Sequence, residues 1–173
     1  KPYTKLQPIE WIPSFSNYKK RKIVIIHAPS KQKVKGTKYV LKAIRQLKEE
    51  GYEIDFRLLQ NIPNEEIVNY YKDADLVIDQ LLVGWYGGFA VECMALGKPV
   101  ACYIREDDLK YIPEEMRREI PIIRVDKDNL YERVKYYLDN RHELEIIAHN
   151  SRKFVDKWHD PTKIAKKIID DYM

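Results

Sequence analysis

Cysteine, histidine and long apolar runs are all scarce in this chain of 173 residues. The two cysteines, Cys93 and Cys102, lie in apolar segments without metal-ligand spacing, so we expect buried free thiols rather than a disulfide. The four histidines are scattered along the chain and include no His-x-x-x-His pair. These absences predict that the protein holds neither a structural nor a catalytic metal, and no cofactor is expected.

Membrane-spanning segments and a large excess of charges of one sign are also missing. No apolar run approaches the roughly 20 residues that span a bilayer, and residues 1–20 lack the apolar stretch of a secretory signal. We therefore expect a cytoplasmic location, with membrane association only through a larger parent protein. The 31 basic and 27 acidic residues are interspersed, which is typical of a mixed solvated surface and predicts no nucleic-acid partner.

The length and the proline pattern predict one full domain preceded by a short tail. Residues 1–20 contain Pro2, Pro8 and Pro13 and show no sustained hydrophobic period, so we interpret them as an interdomain linker or the tail of a preceding domain. Residues 21–173 are enough for one domain with a substantial core but too few for two full-sized domains.

Within residues 21–173, apolar runs alternate with segments of helical period. Short β-branched runs indicate strands buried on both faces, and the stripes between them indicate helices. This alternation predicts an α/β fold with a Rossmann-like, doubly wound parallel sheet. The predicted strands are 23–26, 54–59, 76–78, 99–104 and 122–125; the predicted helices are 37–50, with Thr37 as N-cap, 64–74, 88–96, stretches near 106–111 and 114–119, one through 130–138 and two that close the chain.

In open parallel sheets, ligands bind beyond the carboxyl ends of the strands. The loops after Ile26, Ile78 and Ile104 are therefore the candidate binding loops, and the second one contains Gly87 and Gly88. Glycines allow the backbone to approach a ligand closely, and the free amides at the start of the following helix suit a diphosphate. The alternative reading of these glycines is a simple tight turn. His27 is expected to be a satisfied histidine at a strand end.

The segment from the glycine loop into the next strand resembles the donor-site signature of glycosyltransferases with two Rossmann-like domains, the GT-B fold, of the group 1 or family 4 type. The residues that carry this resemblance are Gly88, Phe89, Glu92, Met94, Ala95, Gly97, Lys98, Pro99 and Val100. The resemblance implies that Glu92 binds the ribose of a nucleotide-sugar donor. It also implies that the amides around Gly87, Gly88 and Phe89 bind the donor diphosphate.

The loop after Ile26 resembles a second segment of the same family, in which an arginine and a lysine neutralise the diphosphate. Lys35, immediately before Gly36, takes the lysine position, whereas the arginine position falls near Pro29 and Ser30. The resemblance therefore implies Lys35, Gly36 and Ser30 as donor-binding residues. A solvated loop lysine is the alternative for Lys35.

One family residue is missing from the glycine loop. The family has two glutamates separated by seven residues; Glu92 matches the second, and Gly84 stands where the first would contact the donor sugar. Asp79, after the third predicted strand, is the candidate substitute. No catalytic residue can be assigned. The nucleotide base is expected against the loop after Ile104 or the segment 122–124.

The resemblance implies that residues 21–173 form the C-terminal half of a GT-B enzyme, a hexosyltransferase-like glycosyltransferase whose donor is a nucleotide sugar such as a UDP-sugar. The acceptor, a sugar, lipid or protein, would be held by an N-terminal domain absent from this sequence, so the isolated domain should bind donor but transfer little. Two alternatives remain: a non-catalytic nucleotide-binding or interaction module, and half of a nucleotide-sugar epimerase.

Overall fold

The computed structural model describes residues 12–172, without the side chains of residues 64, 65, 167, 171 and 172. Residues 1–11 of the predicted tail therefore lie outside the described residues. The described part forms a five-stranded parallel sheet covered by helices.

All five strands of the sheet run in the same direction, in the order β2-β1-β3-β4-β5. Each strand overlaps an apolar run that the sequence predicts; β1 extends one residue further, to His27, and β2, β4 and β5 are shorter than predicted. The doubly wound α/β fold is confirmed. The strands are β1 (Ile23–His27), β2 (Ile54–Leu58), β3 (Leu76–Ile78), β4 (Val100–Cys102) and β5 (Ile123–Arg124).

Helices follow the strands in alternation, as the hydrophobic pattern predicts. In residues 12–172 no helix has both the length and the apolar character needed to cross a membrane. A 3₁₀ turn covers Glu106–Tyr111. The helices are α1 (Gln32–Lys35), α2 (Thr37–Glu49), α3 (Asn64–Asp73), α4 (Gly88–Ala95), α5 (Glu114–Glu119), α6 (Leu130–Asp139), α7 (Arg141–Trp158) and α8 (Pro161–Tyr172).

The start of α2 differs from the prediction. Thr37 is the first residue of the helix, and Gly36, with φ 78°, is its N-cap, so the prediction of Thr37 as N-cap is wrong. The physical reason is that an N-cap residue has non-helical backbone angles, and Gly36 takes these angles while Thr37 is already helical. The Thr37 hydroxyl bonds to the His27 ring at 2.9 Å. The short helix α1 was not predicted, because its four residues carry no apolar stripe.

Two apolar cores lie on the opposite faces of the sheet. Ile23 and Ile25 of β1 belong to the core that α2 and α6 cover, whereas Ile26 belongs to the core that α4 covers. This alternation follows from the period of two in a strand. Both cysteines are buried free thiols, as predicted, and burial raises the pKa of each.

The strand order creates a switch point between β1 and β3. From β1 the chain crosses to β2 on one side, and from β3 it crosses to β4 on the other. Because the two connections diverge, a crevice is left at the carboxyl ends of these strands, where ligands bind in such sheets. The loop 28–36 and the loop 79–87 border it.

Residues 12–20 pack against the opposite, amino edge of the sheet. The Ser16 hydroxyl donates to the carbonyl of Ala74 at 3.0 Å, and the Tyr18 hydroxyl donates to the carbonyl of Asp75 at 3.2 Å. Tyr18 is buried among the core residues. This segment is therefore held on the domain at the edge away from the crevice, and its role as a linker remains a prediction.

Candidate ligand-binding site

The N-terminus of α4 opens into the crevice with unused hydrogen-bond donors. The first backbone bond of the helix runs from Val91 N to Gly87 O, at 3.2 Å, and Gly87 provides no side-chain cap. Within the part of the chain that the structure describes, the amides of Gly88, Phe89 and Ala90 donate to no acceptor. Three free amides at the positive end of a helix form a site suited to an anion.

Gly87 and Gly88 are not required by the backbone or by packing. No heavy atom lies within 4 Å of a Cβ built on either residue, and neither has a φ in the left-handed range. Side chains would therefore fit at both positions in the structure as it stands. The open space above the free amides is what a closely bound ligand would need.

Glu92 lies on α4, about one turn after these amides. Its side chain is half-buried, and burial raises the pKa of its carboxyl group. Among the described residues it has no hydrogen-bond or ion-pair partner. A half-buried carboxylate normally has a partner, so an acceptor left open beside free donors indicates a ligand with hydroxyl groups.

Lys35 and Asp79, both predicted as donor-binding residues, form a close ion pair. Lys35 Nζ lies 2.5 Å from Asp79 Oδ1, and the side-chain exposures are 14% and 0%. The second oxygen of Asp79 lies 4.0 Å from the Cys102 thiol. Asp79 is thus buried beneath Lys35 and fixes the position of its ammonium group, rather than presenting a free oxygen to the crevice.

The loop after β1 packs against the loop after β3. The Leu81 amide donates to the carbonyl of Lys35 at 3.2 Å, and a Cβ on Gly36 would lie 3.1 Å from the Leu81 Cβ. With its φ of 78°, Gly36 is a position where glycine is favoured. Gly36 therefore sets the approach of the two loops, while Ser30 is exposed at the start of the first one.

His27 at the end of β1 is a structural residue, as expected. Its Nδ1 lies 2.8 Å from the carbonyl of Ile78, and its Nε2 lies 2.9 Å from the hydroxyl of Thr37. Because a carbonyl only accepts, Nδ1 carries the proton and Nε2 accepts from the hydroxyl. Burial lowers the pKa of His27, so the neutral ring links β1, β3 and α2 beneath the crevice.

The glycine loop is anchored to the end of α7 by an aromatic contact. Tyr86 is buried, its hydroxyl lies 3.1 Å from His159 Nε2, and its ring packs edge-on against Phe154 at 6.3 Å. Burial lowers the pKa of His159. This contact holds the residues immediately before Gly87 in place.

Arg105 borders the crevice and was not predicted as a site residue. Its amide donates to the carbonyl of Gly84 at 2.8 Å, and a Cβ on Gly84 would lie only 2.6 Å from the Arg105 Cβ. The sequence offered a signal, since Arg105 is the first charged residue after Ile104, whose following loop was predicted to bind ligand. Contact between the two loops is not visible in the sequence.

Lys98, a residue of the recognised motif, lies at the other edge of the sheet. It is completely buried, and its ammonium group donates to the carbonyl of Ser14 and, at 3.3 Å, to the hydroxyl of Ser16. The neighbouring Gly97 has φ 71° and contacts Phe15. The motif is therefore divided: Gly88 to Glu92 border the crevice, whereas Gly97 and Lys98 hold residues 12–16.

No group of three His, Cys, Asp or Glu side chains in residues 12–172 is arranged to hold a metal ion. The expectation that the protein binds no metal and no cofactor remains a prediction.

Comparison with protein-family models finds no matching family, and no curated protein matches the sequence. Solved structures do match. A mutant of S. aureus TarM in complex with Fondaparinux, α-GlcNAc-glycerol and UDP superposes with a TM-score of 0.69 at 10% identity, over 92% of this chain and 36% of that one. Anabaena Alr3699/HepE in complex with UDP gives a TM-score of 0.65 at 15% identity, over 98% of this chain and 56% of that one.

A third match is the C-terminal domain of the Francisella tularensis glycosyl transferase group 1 family protein LpcC. It gives a TM-score of 0.55 at 16% identity and covers 91% of this chain and 95% of that domain. The chain thus spans 36% of the TarM chain and 56% of the HepE chain, but nearly all of this single domain. It has the fold of the C-terminal half of a GT-B glycosyltransferase.

Proposed function

We propose that the crevice binds a nucleotide-sugar donor and that the chain is the donor-binding half of a two-domain, hexosyltransferase-like glycosyltransferase. The observation that carries this proposal is the pairing of free amides with a free carboxylate on one helix. Gly88, Phe89 and Ala90 offer donors without acceptors, and Glu92 offers an acceptor without donors. A nucleoside diphosphate has both complements, since its phosphates accept and its ribose hydroxyls donate.

The diphosphate would lie against the start of α4. The amides of residues 88–90 and the helix dipole favour negative charge there, and Lys35 supplies an ammonium group from the neighbouring loop. When the glycosyl bond breaks, negative charge grows on the departing diphosphate. Groups already fixed in position stabilise this charge without reorganisation, and the ion pair with Asp79 fixes Lys35 in this way.

The ribose would lie against Glu92. A carboxylate is an acceptor with two oxygens and can bind two neighbouring hydroxyl groups at once. The solved HepE complexes contain UDP and UDP-glucose, which supports UDP-sugars as the first donors to test.

The acceptor site is proposed to lie on a second domain. The chain covers 36% and 56% of the TarM and HepE chains that it matches, which supports a second domain that would carry the acceptor-binding surface. A sugar, lipid or protein acceptor would meet the donor between the two domains. The isolated chain should therefore bind the donor and transfer little or no sugar.

The proposal is tested by titrating the chain with UDP, GDP and ADP and repeating the tightest titration with Glu92→Gln. Loss of a charged acceptor should weaken binding roughly 10- to 100-fold. Glu132→Gln, which removes an exposed carboxylate from the first turn of α6, is the matched control and should bind like the wild type. Failure to bind every nucleoside diphosphate, or an unchanged affinity in Glu92→Gln, would contradict the proposal.

A non-catalytic nucleotide-binding module is the second candidate. It is favoured by the glycine loop, where Gly84 provides no acidic side chain and Arg105 fills the space beside it. Such a module should bind UDP and UDP-glucose with equal affinity. A donor domain that contacts the sugar should discriminate between them, so parallel titrations of the two ligands separate the candidates.

A further inference from the structure

Arg105 brings a second cationic side chain to the crevice that the proposed function does not use. It lies in the loop after β4, beyond Tyr103 and Ile104, and its amide donates to the carbonyl of Gly84 in the loop after β3. Gly84 lies four residues before the free amides of α4. The loops after β1, β3 and β4 thus contribute Lys35, the free amides and Arg105 to the same edge of the sheet.

The charge of Lys35 is largely compensated before any ligand arrives. Its ammonium group lies 2.5 Å from the buried carboxylate of Asp79, so the pair has little net charge. The helix N-terminus supplies only about half an elementary charge. A diphosphate carries negative charge on both phosphates, and the paired Lys35 and the helix N-terminus balance only part of it; Lys31 and Lys33 of the first loop are exposed.

The present partner of Arg105 holds it weakly. Its Nη1 lies 3.3 Å from Asp108 Oδ2, three residues along the chain, and the two side chains are 54% and 33% exposed. Such exposed pairs contribute little net stability, so the guanidinium can exchange this carboxylate for another anion. The nearest acidic neighbour, Glu106, is engaged by Arg124 at 2.6 Å.

Gly84 determines where the arginine side chain lies. A Cβ on Gly84 would be 2.6 Å from the Cβ, 3.1 Å from Nε and 3.4 Å from Cζ of Arg105. Since Gly84 has no left-handed φ, glycine is required here by this close approach and not by the backbone angle. The stem of the arginine is therefore laid flat across the glycine loop, with the guanidinium group at its edge.

We propose that Arg105 is a second side-chain cation for the donor and that it binds the phosphate next to the sugar, which is the terminal phosphate of UDP. This inference rests on the proposed function of the crevice. A planar guanidinium can form two parallel bonds to a phosphate, which a lysine cannot do. Gly84 is then a positioning residue, since its lack of a side chain lets Arg105 lie across the loop.

The test compares UDP with UMP, which lacks the terminal phosphate, in the wild type and in Arg105→Gln. We expect the variant to bind UDP about tenfold more weakly, because a charge-assisted bond is lost, and to bind UMP within about twofold of the wild type. Arg118→Gln, which removes an exposed arginine on α5, is the matched control. If GDP or ADP binds more tightly than UDP, the same comparison is made with GDP and GMP or with ADP and AMP.

Gly84→Ala provides a second variant that leaves Arg105 in the sequence but displaces its side chain. It should show the same loss of preference for UDP over UMP. If Arg105 has only a structural role, Arg105→Gln should lower the melting temperature or weaken the binding of UDP and UMP equally. Either result, with the preference for UDP over UMP retained, would overturn this inference but not the proposed function. If the wild type binds no nucleoside diphosphate, the proposed function fails and this inference fails with it.

Discussion

The two edges of the parallel sheet carry similar polar residues, but these residues differ in whether they have hydrogen-bond partners within the chain. At the amino edge, the ammonium group of Lys98 is bonded to Ser14 and Ser16, and Asp75 Oδ2 accepts from the Val24 amide at 2.7 Å and pairs with Lys20 at 2.7 Å. At the carboxyl edge, Glu92 and the amides of residues 88–90 have no partner among the described residues. Asp75 Oδ1, which is buried without a partner, is the exception at the amino edge. The free donors and the free acceptor of the carboxyl edge lie together on one helix, which supports the proposal that a ligand binds there.

The glycines show the same difference. Gly97, at the amino edge, has φ 71°, and a Cβ there would lie 2.5 Å from the ring of Phe15. Gly87 and Gly88, at the carboxyl edge, have open space and ordinary backbone angles. The first glycine is explained by the structure of the chain. Neither packing nor the backbone angle requires the other two, which supports the proposal that a ligand binds above them.

The largest expected effect is the loss of Lys98 at the amino edge. Lys98→Ala removes a fully buried stem and leaves the bonded groups of Ser14 and Ser16 without a donor, which should cost about 3 kcal/mol of unfolding free energy. Urea denaturation measures this, with the exposed Lys48→Ala as control. UDP affinity should not change at temperatures where the variant is folded. A variant with the stability of the wild type would contradict the structural role assigned to the amino edge.

The pH dependence of unfolding tests the burial of Lys98 at the amino edge. Burial lowers the pKa of Lys98 from 10.5 to about 8, so between these values the unfolded chain binds the proton and the native protein does not. Stability therefore rises with pH across this window, and the cost of the buried charge is fully present below it. Relative to Lys98→Met, the wild type should gain about 3 kcal/mol of unfolding free energy through this window. A difference between the two proteins that stays constant or falls would contradict this.

The smallest expected effect on stability belongs to the carboxyl edge. Gly88→Ala adds a methyl group in open space, so the free energy of unfolding should change by less than about 0.5 kcal/mol. The same methyl group would occupy the space through which a diphosphate reaches the free amides, and UDP binding should weaken several-fold. Calorimetric titration and thermal unfolding of the same sample check both statements. Unchanged binding would place the diphosphate elsewhere.

The hydrophobic pattern predicted the fold because local residues decide it. The apolar run Ile23 to Ile26 matches a strand that is buried on both faces. The stripe of Val40, Ile44 and Leu47 matches the buried face of a helix. Helix α1 could not be found in this way, since Gln32–Lys35 has no buried residue. The burial of Lys98 was equally invisible, because it depends on Ser14 and Ser16, more than 80 positions earlier.

The candidate site was only partly predictable for a related reason. Glu92 and the glycines before it lie on one continuous segment, so motif spacing finds them. The pairing of Lys35 with Asp79 and the contact of Arg105 with Gly84 join residues that lie on different loops. Lys35 and Asp79 were each predicted from the sequence as donor-binding residues. The sequence could not show that the two side chains form an ion pair.

Binding of the donor at the carboxyl edge would be seen in the amide resonances of the ¹⁵N-labelled chain during titration with UDP. We expect the largest shift changes at Gly88, Phe89 and Ala90, with those of Ser14, Ser16 and Gly97 unchanged. Changes concentrated at the amino edge, or no change at saturating nucleotide, would contradict it.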